Sequence, residues 1–512
     1  MIGAGIFARL GRARTPRVEP IEGRRAAVAA LKGGAIASAR GALMSYDAAT
    51  QPRAGRFRTR HGSADEISRD YRQRLAFISR DIIRNSPLGA AAVRVISGEI
   101  VGSGIALSLS GLSDDLQARA RLLIGSHLQT RAIDADGRLD LYGIQRLAAR
   151  AMVSDGECFV RRIRRGSAGG RALLLPFQVQ VIEADHLDLA KTGRTAAGGE
   201  ISEGIERDAS GQVIAYHFFR HHPHGGWLRR VMDRSDRVEA VDVIHVFRVE
   251  RPGQGRGVSW FAPVALRMQD LSDAIGANVM RQKIAACFVA FVMSPDDGDE
   301  RPLSGMAEGE DGGGGSGASD AVTIEPGTVQ DLRPGETVTF SSPPSVEGFD
   351  GFVKLVQHEI ASGLGITFEA LTGELSQVNF SSAKIGRLAM HRNVDDWRSD
   401  ALVPTLCDGL ARWLLEGWAV TDPRNAAQIL AAVASHTPPA RAAIEPLKDA
   451  KAAEVEVRAG FRSRRDVVLS QGRDPERVAR ERGEDNAADL QARELLTTTT
   501  LAPPPAVAGG AK

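Results

Sequence analysis

The run WFAPVALRMQDLSDAIGANVMRQKIAA, residues 260–286, places Val264, Met268, Leu271, Ile275 and Val279 at successive steps of 4, 3, 4 and 4. Steps of three and four put side chains on one face of an α-helix. The spacing therefore predicts an amphipathic helix of about six turns, roughly 35 Å long, with this stripe buried. Leading into it is RPGQGRGVSW, residues 251–260. The glycines of this motif, Gly253 and Gly257 among them, allow a tight turn around Pro252 and Gln254. Arg251 and Arg256 could hold phosphates or carboxylates. On sequence physics alone, structural ion pairs at the start of the helix are the stronger reading of these arginines.

On the N-terminal side, periodicity changes to that of strands. ECFVRRIR, FQVQVIEADHL, GQVIAYHFFR and DVIHVFRVE are rich in β-branched and aromatic residues and are separated by glycine and charged turns. Before them, SADEISRDYRQRLAFISRDIIRN has Ser63 as a cap, Glu66 three residues on, and a helical stripe of Leu75, Ile78, Ile82 and Ile83. Pro87 opens a second helix that Gly102 and Gly104 end. Helices and strands in this order make an α+β chain. Residues 1–62 carry many arginines and few acids and read as a basic flexible arm.

On the C-terminal side, an acidic, glycine-rich stretch, 296–320, is too polar to bury. It interrupts a small β module made by CFVAFVM, AVTIEPGTVQDL and ETVTFSS. FDGFVKLVQHEIASGLG then aligns Phe352, Val356 and Ile360 on a second amphipathic helix. A polar segment follows, LTGELSQVNFSSAKIG, residues 371–386, which offers Ser376, Gln377, Asn379, Ser381 and Ser382 with a single lysine, Lys384. An active-site loop, a substrate-contacting loop and a connector all fit it. A long helix, interrupted by Pro404, comes next, and the Pro-, Thr- and Gly-rich C-terminus reads as a disordered tail.

Composition narrows the function classes. The 512 residues allow two to four domains. With 65 basic and 63 acidic side chains, the net charge of +2 argues against gripping nucleic acid over the whole surface. Cys158, Cys287 and Cys407 lie far apart, with neither disulfide nor zinc spacing, which suits a reducing compartment. The apolar run 285–293 is about half the roughly 20 residues a membrane span needs and reads as a buried strand. No apolar core of signal-peptide length follows the N-terminal arginines, so a cytosolic product is expected.

Four local patterns have a chemical reading. Gly3, Gly5 and Ala8 have the spacing of a dinucleotide fingerprint but lack the strand that must precede it. His221, His222 and His224 form the one histidine concentration; Pro223, Gly225 and Gly226 make it read as an exposed turn rather than a metal site. In SDGECFV, strand alternation sends Glu157 and Cys158 to opposite faces, so Cys158 reads as a buried structural thiol, not a nucleophile. The sequence has no GxxxxGK[ST], HExxH or GxSxG motif. An enzyme using Cys158 or the histidines, and a nucleic-acid binder acting through the basic arm, are the competing classes.

Seven strings in a fixed order decide between them. They are SRDIIRNSPLGAAAVRVISGEIVGSGI, DGECFV, VIEADHLD, GIERDASGQVIAYHFF, VIHVFRVERPGQGRGVSWFAPVALRMQDL, GITFEALTGELSQVNFSSAKIGRLAMHR and IEPLKDAKAAEVEVRAGFRSRRDVVLSQGRDPERVARERGED. From about residue 65 to 485 the chain resembles the portal proteins of lambda-like tailed bacteriophages. The resemblance implies a non-enzymatic ring, typically dodecameric, at the unique capsid vertex of the virion, made in the host bacterial cytoplasm. It implies no cofactor, metal or membrane. Double-stranded DNA passes without sequence specificity, driven by the terminase large subunit, and the other partners are major capsid, scaffold and head-completion or adaptor proteins.

The implied domains are a wing at 63–260, stem helices at 261–286 and 346–365, and a clip at 287–345. A channel loop at 366–381 follows, then a long wing helix at 382–435, a helical crown at 436–490 and the tail at 491–512. Some lambda-like portals are trimmed at the N-terminus. On this resemblance the polar segment faces moving DNA. Small hydroxyls and amides contact phosphates without reading bases, and Lys384, repeated around a ring, attracts DNA weakly.

Overall fold

The computed structural model describes residues 61–225, 234–286, 290–293, 337–340, 348–376, 378–441 and 445–500. The basic arm up to residue 60, the 296–320 stretch and Cys287 fall outside these. Helices α1 (Arg72–Asn85), α2 (Pro87–Val101) and α3 (Leu141–Asp155) pack on one another, and α3 packs against an antiparallel three-stranded sheet in the order Val243–Phe247, Glu157–Arg164, Phe177–Glu183. The chemistry of the helix ends matches their sequence. Ser86 caps α2 ahead of Pro87, Asp140 Oδ1 accepts from the Gly143 N–H at 2.7 Å to cap α3, and Gly156 closes α3 in the left-handed region at φ 94°.

Strand Glu157–Arg164 divides two cores by simple alternation. Cys158 and Val160 join the large helical core, with Ile96, Ile100, Trp413 and Trp418. Phe159 joins a second core with Ile182, Tyr216, Phe218 and Val238. That second core lies under a five-stranded antiparallel sheet ordered Ser235–Glu239, Val213–Phe219, Ile205–Arg207, Glu200–Ser202, Gly193–Arg194.

Three long helices follow: α4 (Ala265–Ala286), α5 (Phe349–Leu364) and, after the short α6 (Phe368–Thr372), α7 (Phe380–Trp397). A pair of antiparallel strands, Ala290–Met293 and Thr337–Phe340, lies between α4 and α5 in sequence. Helices α4 and α5 approach closely: a Cβ added to Gly363 would lie 2.4 Å from Val264 Cγ1. No helix among the described residues is long and apolar enough to cross a membrane.

Several expectations need correction. The stripe on α4 splits: Val264, Met268 and Leu271 are buried, but Ile275 is 40 % and Val279 44 % exposed in the single chain. Helix α1 turns Arg72, Ala76 and Ser79 inward rather than Ile78, because Arg72 pairs with Glu203 and Ser79 Oγ lies 2.6 Å from Ser259 Oγ. The long helix expected over 382–435 starts at Phe380 and passes Pro404 through a π-helical segment, Arg398–Cys407. It ends at Thr421, and Val433–Thr437 is instead a strand paired with Ala106–Ser110. The last helix, Pro475–Thr500, extends into the region expected to be a tail.

Burial of uncharged imidazole makes the fold acid-sensitive. His127 is fully buried with Nε2 3.1 Å from the Phe177 carbonyl oxygen, and burial lowers its pKa from 6.5 to about 4. Burial lowers His186, His217 and His245 too. Below pH 6.5 the unfolded chain binds protons that the folded His127 refuses, so stability is full above that value and falls as the pH drops toward 4. Urea titrations at pH 7.5 and 4.5 should differ by about 2 kcal/mol from His127 alone, and a His127→Gln variant should show a smaller pH dependence than wild type.

Candidate functional site

Two of the strings that mark the sequence, DGECFV and RPGQGRGVSW, meet in space. Glu157, the first residue of its strand, is buried, and both its oxygens lie 2.9 Å from Arg256 Nε; the Arg256 terminal nitrogen pairs with it as well. The Gly257 N–H donates to Glu157 Oε2 at 3.0 Å, and His245 Nε2 lies 2.8 Å from the same oxygen. Burial alone would push this carboxyl up, but the guanidinium and the imidazole hold it well below the usual carboxylate range.

The backbones must touch for this to happen. A Cβ on Gly257 would sit 2.1 Å from the Gly156 carbonyl oxygen, and one on Gly156 would meet the Val258 carbonyl carbon at 2.2 Å. Gln254 stitches the turn: Oε1 accepts from the Glu250 N–H at 2.8 Å and Nε2 donates to the Arg256 carbonyl at 2.8 Å. The Gly255 N–H donates to Asp65 Oδ2 at 2.9 Å. The N–H groups of Gly255 and Gly257, which a phosphate cradle would need, thus serve carboxylates of the chain itself. Arg256 is a structural ion-pair partner, while Arg251, Pro252 and Gly253 are exposed.

The polar segment is shorter than its sequence suggested. Thr367 caps α6 and Asn379 caps α7, its Oδ1 accepting from the Ser382 N–H at 2.8 Å, so the described residues outside helices are only Gly373–Ser376, Val378 and Asn379. Ser381 and Ser382 are exposed on the first turn of α7. Ser376 donates from Oγ to Glu374 Oε1 at 2.9 Å, and Lys354 Nζ, from α5, reaches the same oxygen at 3.0 Å. Gln377 lies outside the described residues. Lys384 Nζ lies 3.6 Å from Glu445 Oε2, so this lysine already faces a carboxylate. Glu374 and Lys354 were passed over in the sequence; an acid within a segment of hydroxyls and amides was the available signal.

Cys158 and the histidine cluster lie in different surroundings. Cys158 is fully buried against the Ala148 carbonyl, and burial pushes its thiol up, the opposite of an activated nucleophile. His222 joins Glu183 and Asp185, one ligand atom from each lying within 4.8 Å of the others. The His222 Nδ1 accepts from the His224 N–H at 3.2 Å, which leaves the proton on Nε2, 3.1 Å from Glu183. Arg80 lies 2.6 Å from Asp185 Oδ2 and 2.8 Å from Asp155 Oδ2. Arg80 competes with a cation for the Asp185 carboxylate, whose Oδ2 is buried without a hydrogen-bond partner.

The junction gives a direct test. Glu157→Ala strands a buried guanidinium and Arg256→Ala a buried carboxylate; each should cost about 3–5 kcal/mol in urea unfolding. Arg251→Ala, on the exposed side of the same turn, should cost less than about 0.5 kcal/mol.

Comparison with known proteins places these elements in context. The family model described as phage portal protein, lambda family, matches residues 50–398. A probable portal protein of Halomonas phage phiHAP-1 is 24% identical over 444 residues, covering 84% of this chain and 83% of its own. Among solved structures, a chain from the virion of a native gene transfer agent particle aligns at TM-score 0.44 and 15% identity, covering 83% of this chain and 97% of that one. An HK97 family phage portal protein from Corynebacterium diphtheriae aligns at TM-score 0.29 and 8% identity, over 69% of this chain and 92% of its own.

Proposed function

Since the chain belongs to the lambda family of phage portal proteins, we propose that it assembles into a closed ring at one capsid vertex and serves there as a non-enzymatic conduit for double-stranded DNA. In this reading α4 and α5 are the stem and Gly373–Asn379, with the first turn of α7, faces the channel. The terminase large subunit supplies the energy for translocation, and capsid, scaffold and head-completion proteins dock around the ring.

The observation that carries this reading is the state of the stem helices in the single chain. On α4, Ile275 and Val279 are half-exposed; on α5, Phe352 and Leu355 are exposed too. Apolar side chains exposed along a helix pair mark an interaction surface, and neighbouring copies in a closed ring cover the same surface on every subunit. The hydroxyls of Ser381 and Ser382 suit passing DNA, because they can contact phosphates without reading bases.

Native mass spectrometry with negative-stain electron microscopy, on the full chain alone and with its capsid and scaffold proteins, tests the ring. A chain that stays monomeric beside those partners overturns the reading. Ile275→Asp should leave the stability of the single chain within about 0.5 kcal/mol of wild type, as for an exposed position, yet abolish rings. Ser381→Glu/Ser382→Glu should leave rings intact, since acids are favoured in a helix's first turn, and reduce DNA packaging; normal packaging would place this turn away from DNA.

A further inference from the structure

Resting on the channel reading above, we propose that Glu374 is a built-in screen for Lys354: it occupies the ammonium group that would otherwise bind a phosphate of the DNA backbone. The carboxylate is positioned from several sides. Lys354 Nζ and Ser376 Oγ both approach Glu374 Oε1, at 3.0 and 2.9 Å. The Glu374 N–H donates to Thr372 Oγ1 at 3.2 Å, and that hydroxyl donates to the Phe368 carbonyl at 2.9 Å. Gly373, in the left-handed region at φ 76°, turns the chain so that Glu374 faces back toward α5. Lys354 and then Ser376 hold the Glu374 carboxyl below its ordinary range, so it stays ionised at neutral pH.

Lys354 keeps 45 % of its side chain exposed, so solvent and a polyanion can reach it. A carboxylate and a phosphate oxygen compete for the same ammonium donors. Each lysine that neutralises a phosphate adds a salt-dependent contact, and ring symmetry would repeat that contact once per subunit. An unscreened Lys354 would thus turn a passage into a clamp. The same arrangement recurs beyond the other end of the segment, where Lys384 faces Glu445 and Glu445 also pairs with Lys448. The polar segment brings its own anion to the stem, which makes Glu374 the residue that sets how tightly the channel holds DNA.

The test is equilibrium binding of a random-sequence DNA duplex to purified rings over a range of salt, with ring integrity checked by electron microscopy. Glu374→Gln should tighten binding tenfold or more and steepen the dependence of log K on log salt by about one unit or more, as expected for a newly contacted phosphate. Glu374→Gln/Lys354→Gln should return to wild type. Lys354→Gln alone bares the Glu374 carboxylate and should weaken binding, as added acids do; a tenfold loss in the double variant relative to wild type would show Lys354 already on phosphate and overturn the proposal. Unchanged binding by Glu374→Gln, while Ser381→Glu/Ser382→Glu weakens it, refutes the screen and leaves the channel reading standing. Unchanged binding by both refutes the channel reading itself.

Discussion

A buried ion pair between Glu157 and Arg256 is the constraint on which the architecture turns. Taking two charges out of water is costly unless hydrogen bonds offset it, and on the guanidinium side Arg256 Nη1 is buried without a partner. Here the carboxylate takes Arg256, the Gly257 N–H and His245 together. Glu157 begins the strand that separates the two hydrophobic cores, and Arg256 sits shortly before α4. The pair therefore fixes where the long helix leaves the sheet. Gly156 and Gly257 are as necessary as the charges, since a side chain on either would force the backbones apart. Trp260, stacked under Arg248 at 4.2 Å and 4.9 Å from the Trp397 ring, ties the same junction to α7.

Much of this was legible in the sequence, and the limits have physical causes. Alternation along ECFVRRIR correctly sent Glu157 and Cys158 to opposite faces, and periodicity located α4, α5 and the strands of the sheet. Which carboxylate Arg256 meets was not legible, because a side chain nearly a hundred residues away is brought near only by folding. Helix α1 was misjudged for the same reason: a hydrophobic stripe is visible in one sequence, but Arg72 and Ser79 are buried only because Glu203 and Ser259 wait for them. The strand Val433–Thr437 alternates weakly and is defined by its partner at Ala106–Ser110.

In the polar segment, composition was readable and boundaries were not. Thr367 and Asn379 are cap residues by type, and reading them as such would have shortened the irregular chain to Gly373–Asn379. Counting cations without their partners gave Lys384 a freedom it lacks, since Glu445 faces it from a distant part of the chain. Glu374, the acid that meets Lys354, stands in the segment itself but gains meaning only from the position of α5.

The split stripe on α4 joins these points to assembly. A single period runs from Val264 to Val279, yet burial ends after Leu271 in the isolated chain. A sequence pattern states which face wants to leave water, not which molecule covers it. The first half of the face is covered by the chain's own core, anchored at the Glu157–Arg256 junction. The second half is as apolar as the first yet open to solvent in one copy, and in the proposed ring a neighbouring copy covers it. Ring closure supplies that cover without leaving an end exposed. In the proposed ring the junction would hold each helix at the angle its neighbours share, which would make a buried charge pair in one subunit a determinant of the geometry of the whole assembly.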